Sequence, residues 1–374
     1  MSTPPLEPTA ARRRLCLGAA AALTGLAGLA GAGCADAPRA APTRPRPMWP
    51  APPEQPRYVY ETTLRNAGSL RDDSQDGQMR QLLSGTDSSR ASFGKPFAVA
   101  SRQGRIYVTD TEGRRVFVFD VPRRRTFSFG LRLEGELKKP SGIAVDGSGR
   151  VYVVDTTARR LFIYDELGLY LNEIDGAAQW ARPTAVAVSP GGDRICVVDT
   201  GGVESNSHCV FIHGADRGLV QALGRRGSAP GEFNLPADAA IGPDGTLWVL
   251  DAGNFRVQAF DAQGRFVRMF GSPGNGLGQF ARPRGLAVDR EGLVYVTDAQ
   301  FCNVQVFQPD GQLLLALGAR ANEDAPGLYL LPARVSADET GRIYVVDQFL
   351  HKIEVLRRLS DEEGRRLQTL AGAA

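Results

Sequence analysis

Residues 282–311, RPRGLAVDREGLVYVTDAQFCNVQVFQPDG, decide the fold of the chain, because close variants of this stretch occur six times in all. Each copy has a proline, a short apolar run, a turn with glycine or a related residue, and a second apolar run closed by aspartate; a third run follows. Each run has the length of a β-strand and is bounded by turn residues. A long repeat of this kind indicates one array of similar units. The other five copies are KPFAVASRQGRIYVTD from Lys95, KPSGIAVDGSGRVYVVD from Lys139, RPTAVAVSPGGDRICVVD from Arg182, LPADAAIGPDGTLWVLD from Leu235 and LPARVSADETGRIYVVD from Leu331.

The spacing within and between the copies is regular. From the closing aspartate to the end of the third apolar run is ten residues in five units, and only the unit at Asp199 has four more, around 201–207. The opening prolines recur at intervals of 43 to 53 residues, in the range of propeller blades. Four strands in each of six units predict an all-β fold, a six-bladed β-propeller of four-stranded antiparallel blades. These prolines are Pro96, Pro140, Pro183, Pro236, Pro283 and Pro332.

The sixth unit lacks its fourth strand, because the chain after Leu356 becomes charged and helix-like. Residues 57–64, RYVYETTL, alternate polar side chains with aromatic or β-branched ones, a composition typical of a strand. We expect this N-terminal strand to complete the sixth blade and close the ring, which removes exposed sheet edges.

Four segments resemble a known repeat. The segments 142–155 (GIAVDGSGRVYVVD), 230–236 (PGEFNLP), 278–283 (GQFARP) and 285–300 (GLAVDREGLVYVTDAQ) resemble the NHL repeat, and the resemblance extends over about residues 90–360. It implies a propeller, a fold that occurs both in binding modules and in enzymes. The resemblance therefore predicts the fold and leaves the function open.

The first 33 residues have the pattern of an export signal. Three arginines, Arg12 to Arg14, precede the apolar run 15–33, as the n-region precedes the h-region in a signal peptide. The run ends at small residues before Cys34, which resembles a bacterial lipoprotein cleavage site, although Gly31 stands where that motif prefers leucine. We expect lipidation at Cys34; simple cleavage with secretion and an uncleaved anchor are the alternatives. Both Sec and twin-arginine export fit the segment.

The domain boundaries follow from composition. Residues 34–56 are rich in Pro, Ala and Arg without apolar periodicity, which predicts an extended tether. The propeller is expected over 57–359 and a C-terminal tail over 360–374, with a polar surface excursion at 71–93 that contains one helical turn at Met79 to Leu83. A lipid at Cys34 with Ala35 after it favours an outer-membrane anchor, with the propeller facing the periplasm or the surface.

The charge of the chain excludes one class of function. The formal net charge is +3 for the whole chain, and removing residues 1–33, with three Arg and one Glu, leaves about +1. A nearly neutral chain without a basic stripe is a poor nucleic-acid binder. We expect no nucleic-acid partner.

Cysteines are few, and an oxidising compartment makes their pairing relevant. Cys196 and Cys209 lie on the second and third strands of one unit, and Cys302 lies in another. A cross-strand disulfide between the first two is one interpretation, and two small buried apolar residues is the other, which we favour.

Long connections collect on one face of the predicted ring. The second strand of each unit ends at this face, which we call the loop face, and the short turns lie on the opposite turn face. The long links 225–234, 272–281 and 319–330 and the insertion 201–207 all fall on the loop face. Long loops on one side of a rigid scaffold mark the expected binding face.

The loop face also carries cations near the channel. We interpret them either as partners of the aspartates that close the second strands, which also accept backbone N–H groups, or as a basic mouth that attracts an anionic ligand or acidic patch. The cations are Lys95, Lys139, Arg182, Arg282, Arg284 and Arg334, and the turn aspartates are Asp110, Asp155, Asp199, Asp251, Asp298 and Asp347.

No catalytic or metal-binding constellation stands out in the sequence. The blade register separates His213 from His208 and His351 by the length of a strand, so the three cannot share one zinc ion, and we expect isolated surface histidines. Propellers similar to gluconolactonase use Glu, Asn and Asp around an axial divalent ion; the spacing singles out no such set. The candidates for those roles here are Asp238, Asn254 and Asn303.

These observations favour a monomeric, non-catalytic interaction module of the bacterial cell envelope, without metal or cofactor, that presents its loop face to a protein partner. The alternative from another class is a hydrolase or lyase with a site in the central channel, similar to gluconolactonases or streptogramin lyases.

Overall fold

Six antiparallel sheets surround a central channel, and their order follows the sequence. The structure, a computed structural model, describes residues 46–70, 92–132 and 134–372. The first strands of consecutive blades are neighbours around the channel, and those of the sixth and first blades are neighbours as well. The predicted all-β six-bladed propeller with four-stranded blades is therefore confirmed.

Each blade consists of four strands ordered from the channel outward, and blades are numbered from Pro96. Their bounds are, in blade 1, Pro96–Arg102, Arg105–Asp110, Arg115–Asp120 and Arg125–Phe129; in blade 2, Pro140–Val145, Val151–Asp155, Arg160–Tyr164 and Tyr170–Asp175; in blade 3, Pro183–Val188, Arg194–Asp199, Cys209–Gly214 and Leu219–Leu223; in blade 4, Pro236–Ile241, Leu247–Asp251, Arg256–Phe260 and Phe266–Phe270; in blade 5, Pro283–Val288, Val294–Asp298, Asn303–Phe307 and Leu313–Leu317; and in blade 6, Pro332–Ala337, Arg342–Asp347, Lys352–Arg358 and Tyr58–Leu64.

Burial explains why the middle strands are so apolar. Every residue of Leu247–Asp251 is buried, because the second and third strands of a blade are covered by the neighbouring blades on both faces. The outermost strand Leu219–Leu223 is exposed at three of its five positions. The core is therefore a set of six inter-blade layers of side chains, with the more exposed strands at the rim.

The ring closes through the N-terminal strand, as the sequence predicts. Tyr58–Leu64 pairs antiparallel with Lys352–Arg358, with Tyr58 opposite Arg358 and Leu64 opposite Ile353. The Tyr58 hydroxyl also lies 2.9 Å from the hydroxyl of Tyr295 in blade 5. Strand pairing therefore joins the two ends of the propeller, and a buried side-chain contact connects the closing strand to blade 5.

The propeller begins earlier than expected. Met48–Trp49 forms a short fifth strand on Tyr58–Leu64, and Trp49 packs against the core layer between blades 5 and 6. The expected tether over 34–56 thus differs from the structure in its last part, because Trp49 provides apolar surface for burial that proline and alanine do not. The expected export signal, Cys34 and the helical turn at Met79 to Leu83 lie outside the described residues.

The charged C-terminal segment forms the α-helix Asp361–Gly372, which contacts the segment before the closing strand. Gln368 donates a hydrogen bond of 2.7 Å to the carbonyl of Pro53, and Arg57 forms an ion pair of 2.5 Å with Asp361. The described residues also contain two short 3-10 turns, Ala67–Leu70 and Ala252–Asn254, and a two-stranded parallel sheet of Ala319–Arg320 and Leu328–Tyr329. The helix thus fixes both chain ends of the described propeller beside each other.

One apolar side chain anchors each blade junction. It stands three residues before the opening proline, and each of the six is at most 4% exposed. Each packs in the core layer between two consecutive blades. Each link therefore buries its anchor residue in the core, and the rest of the link lies on the loop face. The six anchors are Phe93, Leu137, Trp180, Phe233, Phe280 and Tyr329.

Candidate functional site

The three long links of the loop face share one conformation. In each, the chain leaves a fourth strand, makes an excursion and returns in a short parallel pairing next to the anchor residue. The pairings are Arg226 with Phe233, Pro273 with Phe280, and Ala319–Arg320 with Leu328–Tyr329. Because the links belong to consecutive junctions between blades 3 and 6, they form one continuous stretch of the loop face.

Buried glutamines of the third strands hold these links in place. Gln258 accepts a hydrogen bond of 2.9 Å from the N–H of Gly231 and donates one of 2.8 Å to the carbonyl of Glu232. Gln305 makes the equivalent bonds to Gly278 and Gln279, at 2.7 and 2.9 Å. Satisfied polar groups in the core fix the backbone that they bind. Core side chains therefore hold the long links in position by hydrogen bonds, as expected for a preformed binding surface.

In blade 6 a buried ion pair takes the place of the glutamine. Glu354 accepts a hydrogen bond of 3.0 Å from the N–H of Gly327, and Lys352 lies 2.6 Å from the same carboxylate. Lys352 also donates to the carbonyl of Leu328 at 2.9 Å. The same support of the link is thus provided by a glutamine in blades 4 and 5 and by an ion pair in blade 6.

The turn aspartates bind backbone, and each is fully buried. Asp298, for example, accepts hydrogen bonds of 2.9 Å from the N–H groups of Ala281 and Arg282, before the blade, and of 2.8 Å from Gln300, in the following turn. Burial raises the pKa of Asp110, but backbone hydrogen bonds outweigh it and hold that pKa below its usual value. All six aspartates bind the N–H groups before their own blade in this way: Asp110, Asp155, Asp199, Asp251, Asp298 and Asp347.

The cations beside the prolines do not pair with these aspartates. Their backbone N–H groups bind the carboxylates, but within residues 46–70, 92–132 and 134–372 no ion pair involves the side chain of Lys95, Lys139, Arg182 or Arg282. The two turn aspartates that do have ionic partners use arginines of the following strand, Arg115 and Arg256. The expected neutralisation by the proline-flanking cations is therefore absent, and their charges remain available on the loop face.

Four of the six predicted cations meet at the channel opening. They line a cavity of about 220 Å³, which we call the mouth, together with small and apolar side chains of the first strands. Lys95 and Lys139 are exposed and do not line it. The mouth is thus formed chiefly by blades 3, 5 and 6. Its arginines are Arg182, Arg282, Arg284 and Arg334, and its other polar residues are Thr184 and Thr200.

Arg334 lies across the channel and forms the floor of the mouth. Its guanidinium is 2.7 Å from the carboxylate of Asp238 in blade 4 and donates to the carbonyls of Ala237, at 2.7 Å, and Arg284, at 3.0 Å. It also stacks 5.4 Å from the ring centre of Phe97 in blade 1. Because the side chain is only 6% exposed and touches blades on several sides, it divides the channel in two.

A signal for this pair is present in the sequence, although we did not predict it. Asp238 and Arg334 occupy the same repeat position, the second residue after the opening proline, which is Ala or Gly in the other four blades. Two opposite charges at equivalent positions of first strands indicate a contact across the channel. The four small residues are Ala98, Gly142, Ala185 and Gly285.

The mouth carries excess positive charge. Burial, with repulsion from Arg334 and Arg282, lowers the pKa of Arg284 to about 10. The guanidinium of Arg284 donates to the side-chain oxygen of Gln348 at 3.2 Å, and among the described residues the buried amide nitrogen of Gln348 has no hydrogen-bond partner. Asp238 pairs with Arg334 alone, so Arg284 and Arg282 add like charges to this cluster without a carboxylate of their own among the described residues, an arrangement that an anion would stabilise.

Below Arg334 the channel widens again into a cavity of about 170 Å³, lined by small and apolar residues of the first strands. Asp238 is the carboxylate of this region; burial raises its pKa and the charge of Arg334 opposes the rise. One Asp238 oxygen accepts from both Arg334 and the N–H of Leu286. With its lone pairs engaged in this way, Asp238 is suited to hold Arg334 rather than to act as a base.

The other candidate metal ligands lie elsewhere. Asn254 bonds to Asp251 at 2.8 Å and to the carbonyl of Gly227 at 2.9 Å, and Asn303 begins a third strand of blade 5, away from the channel. The structure therefore does not bring them together with Asp238. Within the described part of the chain, no group of three or more His, Cys, Asp or Glu residues is placed to hold a metal ion.

The histidines are also apart, and two of them, His208 and His213, are buried rather than at the surface as expected. His208 is fully buried, and its ring bonds to the carbonyl of Gly202 at 3.0 Å and accepts from the N–H of Leu235 at 3.3 Å. His213 is buried against Trp180, whereas His351 is exposed. His208 is buried because the insertion at 201–207 folds over it, so this histidine braces the loop.

The two cysteines of blade 3 are not bonded. Cys196 lies opposite Ile212 and Cys209 lies opposite Asp199, so they are out of register, and they face different core layers. Both are free thiols, as is Cys302. The interpretation as small buried residues is the one that the structure supports.

Thiol titration of the unlipidated chain, with Cys16→Ser and Cys34→Ser, is expected to detect none of the three remaining thiols before unfolding and all three in denaturant. Burial raises the pKa of Cys196 to about 12 and that of Cys209 to about 11, so raising the pH to about 9 is not expected to expose thiolates at these two sites. DTNB absorbance measures both states. Rapid reaction of one native thiol, or fewer than three thiols after unfolding without reductant, would contradict this.

The sequence comparison identifies the repeat. Residues 233–260 and 280–308 match the model of the NHL repeat. The chain carries NHL repeats. It is 31% identical over 83 residues to human NHL repeat-containing protein 3, a match that covers 22% of this chain and 23% of that protein. The matched region thus spans less than a quarter of that relative, and the likeness concerns the repeats.

Solved structures share the same architecture at low identity. A gluconolactonase from Xanthomonas campestris matches with a TM-score of 0.56 and 20% identity, over 71% of this chain and 87% of that one. A virginiamycin B lyase from Staphylococcus aureus matches with a TM-score of 0.53 and 11% identity, over 80% and 99%. Such identities establish a common propeller fold and nothing about activity.

Proposed function

We propose that the NHL propeller is a non-catalytic interaction module of the bacterial cell envelope that presents its loop face to a protein partner. The observation that carries the proposal is the set of three long links at consecutive junctions, each anchored by a buried ring and supported by a buried third-strand side chain. Rigid loops lose little conformational entropy on binding, so they favour recognition of a macromolecule.

The proposal includes export and lipid anchoring at Cys34, which would place the propeller at the membrane surface as a monomer. Its support is the pattern of residues 1–34. Within the described residues no helix is long and apolar enough to cross a membrane.

A propeller hydrolase or lyase is the second candidate, since the structural neighbours include a gluconolactonase and a lyase. In this chain, however, the Arg334 guanidinium occupies the middle of the channel and binds Asp238 together with carbonyl oxygens. A cation is thus already held there by oxygen ligands, which leaves less of the channel for a substrate or divalent ion. This observation favours the interaction module.

Affinity recovery of the tagged protein from its native membrane after crosslinking, followed by mass spectrometry, tests the proposal. We expect a defined partner with the unaltered chain and at least a severalfold lower yield with the double charge reversal Arg282→Glu/Arg284→Glu. The matched control is Arg290→Glu on the turn face, where the exposed guanidinium donates a hydrogen bond of 3.0 Å to the carbonyl of Glu339. Absence of any partner, together with turnover in a lactone or lyase screen, would favour the enzyme.

A further inference from the structure

We propose that the mouth is a binding site for one compact oxyanion, a carboxylate or phosphate group, held by Arg182, Arg282 and Arg284 above Arg334. The inference rests on the proposed function for the source of the anion, which we take to be the partner. It concerns a site at the channel opening, beside the stretch of long links between blades 3 and 6.

The first argument is unbalanced charge. Within the described ranges, no ion pair involves the side chain of Arg182, Arg282 or Arg284, whereas Arg334 is paired with Asp238. No aspartate or glutamate is among the described residues that line the mouth, and the carboxylate of Asp199 is bound to backbone N–H groups at 2.6, 2.7 and 3.0 Å. Three guanidinium groups therefore face the cavity without a carboxylate of the chain between them.

The second argument concerns Arg284, the inner arginine of the mouth. Its guanidinium is fixed in position, and neighbouring positive charges destabilise its charged form. Arg284 is half-buried and hydrogen bonded to Gln348, while two other cations of the mouth repel it. An oxyanion beside Arg284 would accept hydrogen bonds and offset the repulsion, and such charge-assisted bonds are about twice as strong as neutral ones.

The third argument is shape. Arg182 and Arg282 are exposed at the opening, Arg284 is half-buried, and Arg334 is buried at the floor. The cavity has a volume of about 220 Å³, enough for a terminal group of a few heavy atoms and too small for a folded segment. The planar guanidinium fork matches the oxygens of carboxylate and phosphate. A partner would therefore insert one acidic group into the mouth and rest on the long links beside it.

Isothermal titration of the purified chain with inorganic phosphate, and separately with acetate, tests the site in a buffer free of other oxyanions. We expect binding by the unaltered chain, at least about a tenfold weaker affinity for Arg284→Gln, and an unchanged affinity for Arg290→Gln on the turn face. A preference for phosphate identifies a phosphate group as the ligand, and equal or stronger binding of acetate identifies a carboxylate. Arg284→Gln removes a repelled charge, so its thermal midpoint is expected to stay within a few degrees of the unaltered value, which separates lost binding from lost folding.

Two results would overturn the inference: no binding of either anion, or equal affinities of the unaltered chain and Arg284→Gln. Recovery of the partner with Arg284→Gln distinguishes this failure from failure of the proposed function. If the purified chain binds neither anion and Arg284→Gln still recovers the partner, the oxyanion site is wrong and the interaction module stands. If phosphate or acetate binds but no partner is recovered, the site stands and the interaction module is wrong.

Discussion

Replacing Arg334 with methionine is expected to lower the free energy of unfolding by about 3–5 kcal/mol near neutral pH, the usual effect of removing one partner of a buried ion pair. Asp238 would remain buried with one charged donor lost, and the carbonyls of Ala237 and Arg284 would lose their guanidinium. Methionine retains most of the length of the side chain, so the effect reports charge and hydrogen bonds more than volume. Equilibrium urea denaturation followed by circular dichroism measures the loss.

The loss is expected to depend on pH in a definite direction. Burial already raises the pKa of Asp238 and Arg334 opposes the rise, so removing the arginine raises this pKa further. A carboxyl group with a raised pKa in the folded state stabilises the fold fully below its unfolded pKa, about 3.9, and this contribution is lost as the pH rises through the folded pKa. The deficit of Arg334→Met should therefore be smallest near pH 4 and increase toward about pH 8.

Two variants control this experiment. The double variant Asp238→Asn/Arg334→Met removes the buried charge and should recover part of the stability, with little remaining pH dependence. Arg290→Met on the turn face should stay within about 0.5 kcal/mol of the unaltered chain, as is usual for surface substitutions. A pH-independent deficit in Arg334→Met, or one equal to that of Arg290→Met, would show that the channel pair is not a buried ionic contact.

The blades could be predicted from the sequence because each is specified locally. A proline, two apolar runs and a closing aspartate recur with fixed spacing, and each of these features acts within about twenty residues. The closing strand Tyr58–Leu64 was also predictable, because its alternation matched a blade that lacked a fourth strand. The packing of Trp49 was not predictable, because a single apolar residue among prolines shows no strand or helix periodicity. The surface that it covers exists only once blades 5 and 6 have come together.

The site was only partly predictable, because its contacts join blades that are distant in sequence. The cations of the loop face were found from their positions beside the prolines. Sequence spacing does not tell where a long side chain goes, however, and the pairing of Asp238 with Arg334 crosses the channel. The ion pairs expected between the proline-flanking cations and the turn aspartates do not form. Backbone N–H groups, which every link supplies, bind those carboxylates instead. Burial of His208 depended on an insertion without a counterpart in the other blades.

Phe280→Ala is expected to lower the free energy of unfolding by about 3–5 kcal/mol, the usual result for a large core aromatic residue. The ring is fully buried between blades 4 and 5 and lies edge-on to Phe307, with ring centres 5.7 Å apart. Its loss would leave a cavity under the link 272–281, so the effect combines lost burial with a loosened loop face. Phe349→Ala is the matched control, because Phe349 is 64% exposed on the same face and its truncation should cost less than about 0.5 kcal/mol.

A second substitution tests whether the Phe280 anchor is energetically coupled to the glycine that it packs against. Gly271 has a φ of 95°, and a Cβ atom there would lie within 2.4 Å of the Phe280 ring, so Gly271→Ala should be destabilising through both backbone strain and a clash with the anchor. In a Phe280→Ala background the clash is removed and only the strain remains, so the double variant should lose at least about 1 kcal/mol less than the sum of the single losses. Additive losses would mean that the ring and Gly271 are independent. A coupled loss would establish that the glycine after the fourth strand of blade 4 makes room for the anchor of the next link, and hence that the position of the link 272–281 on the loop face is set from within the core.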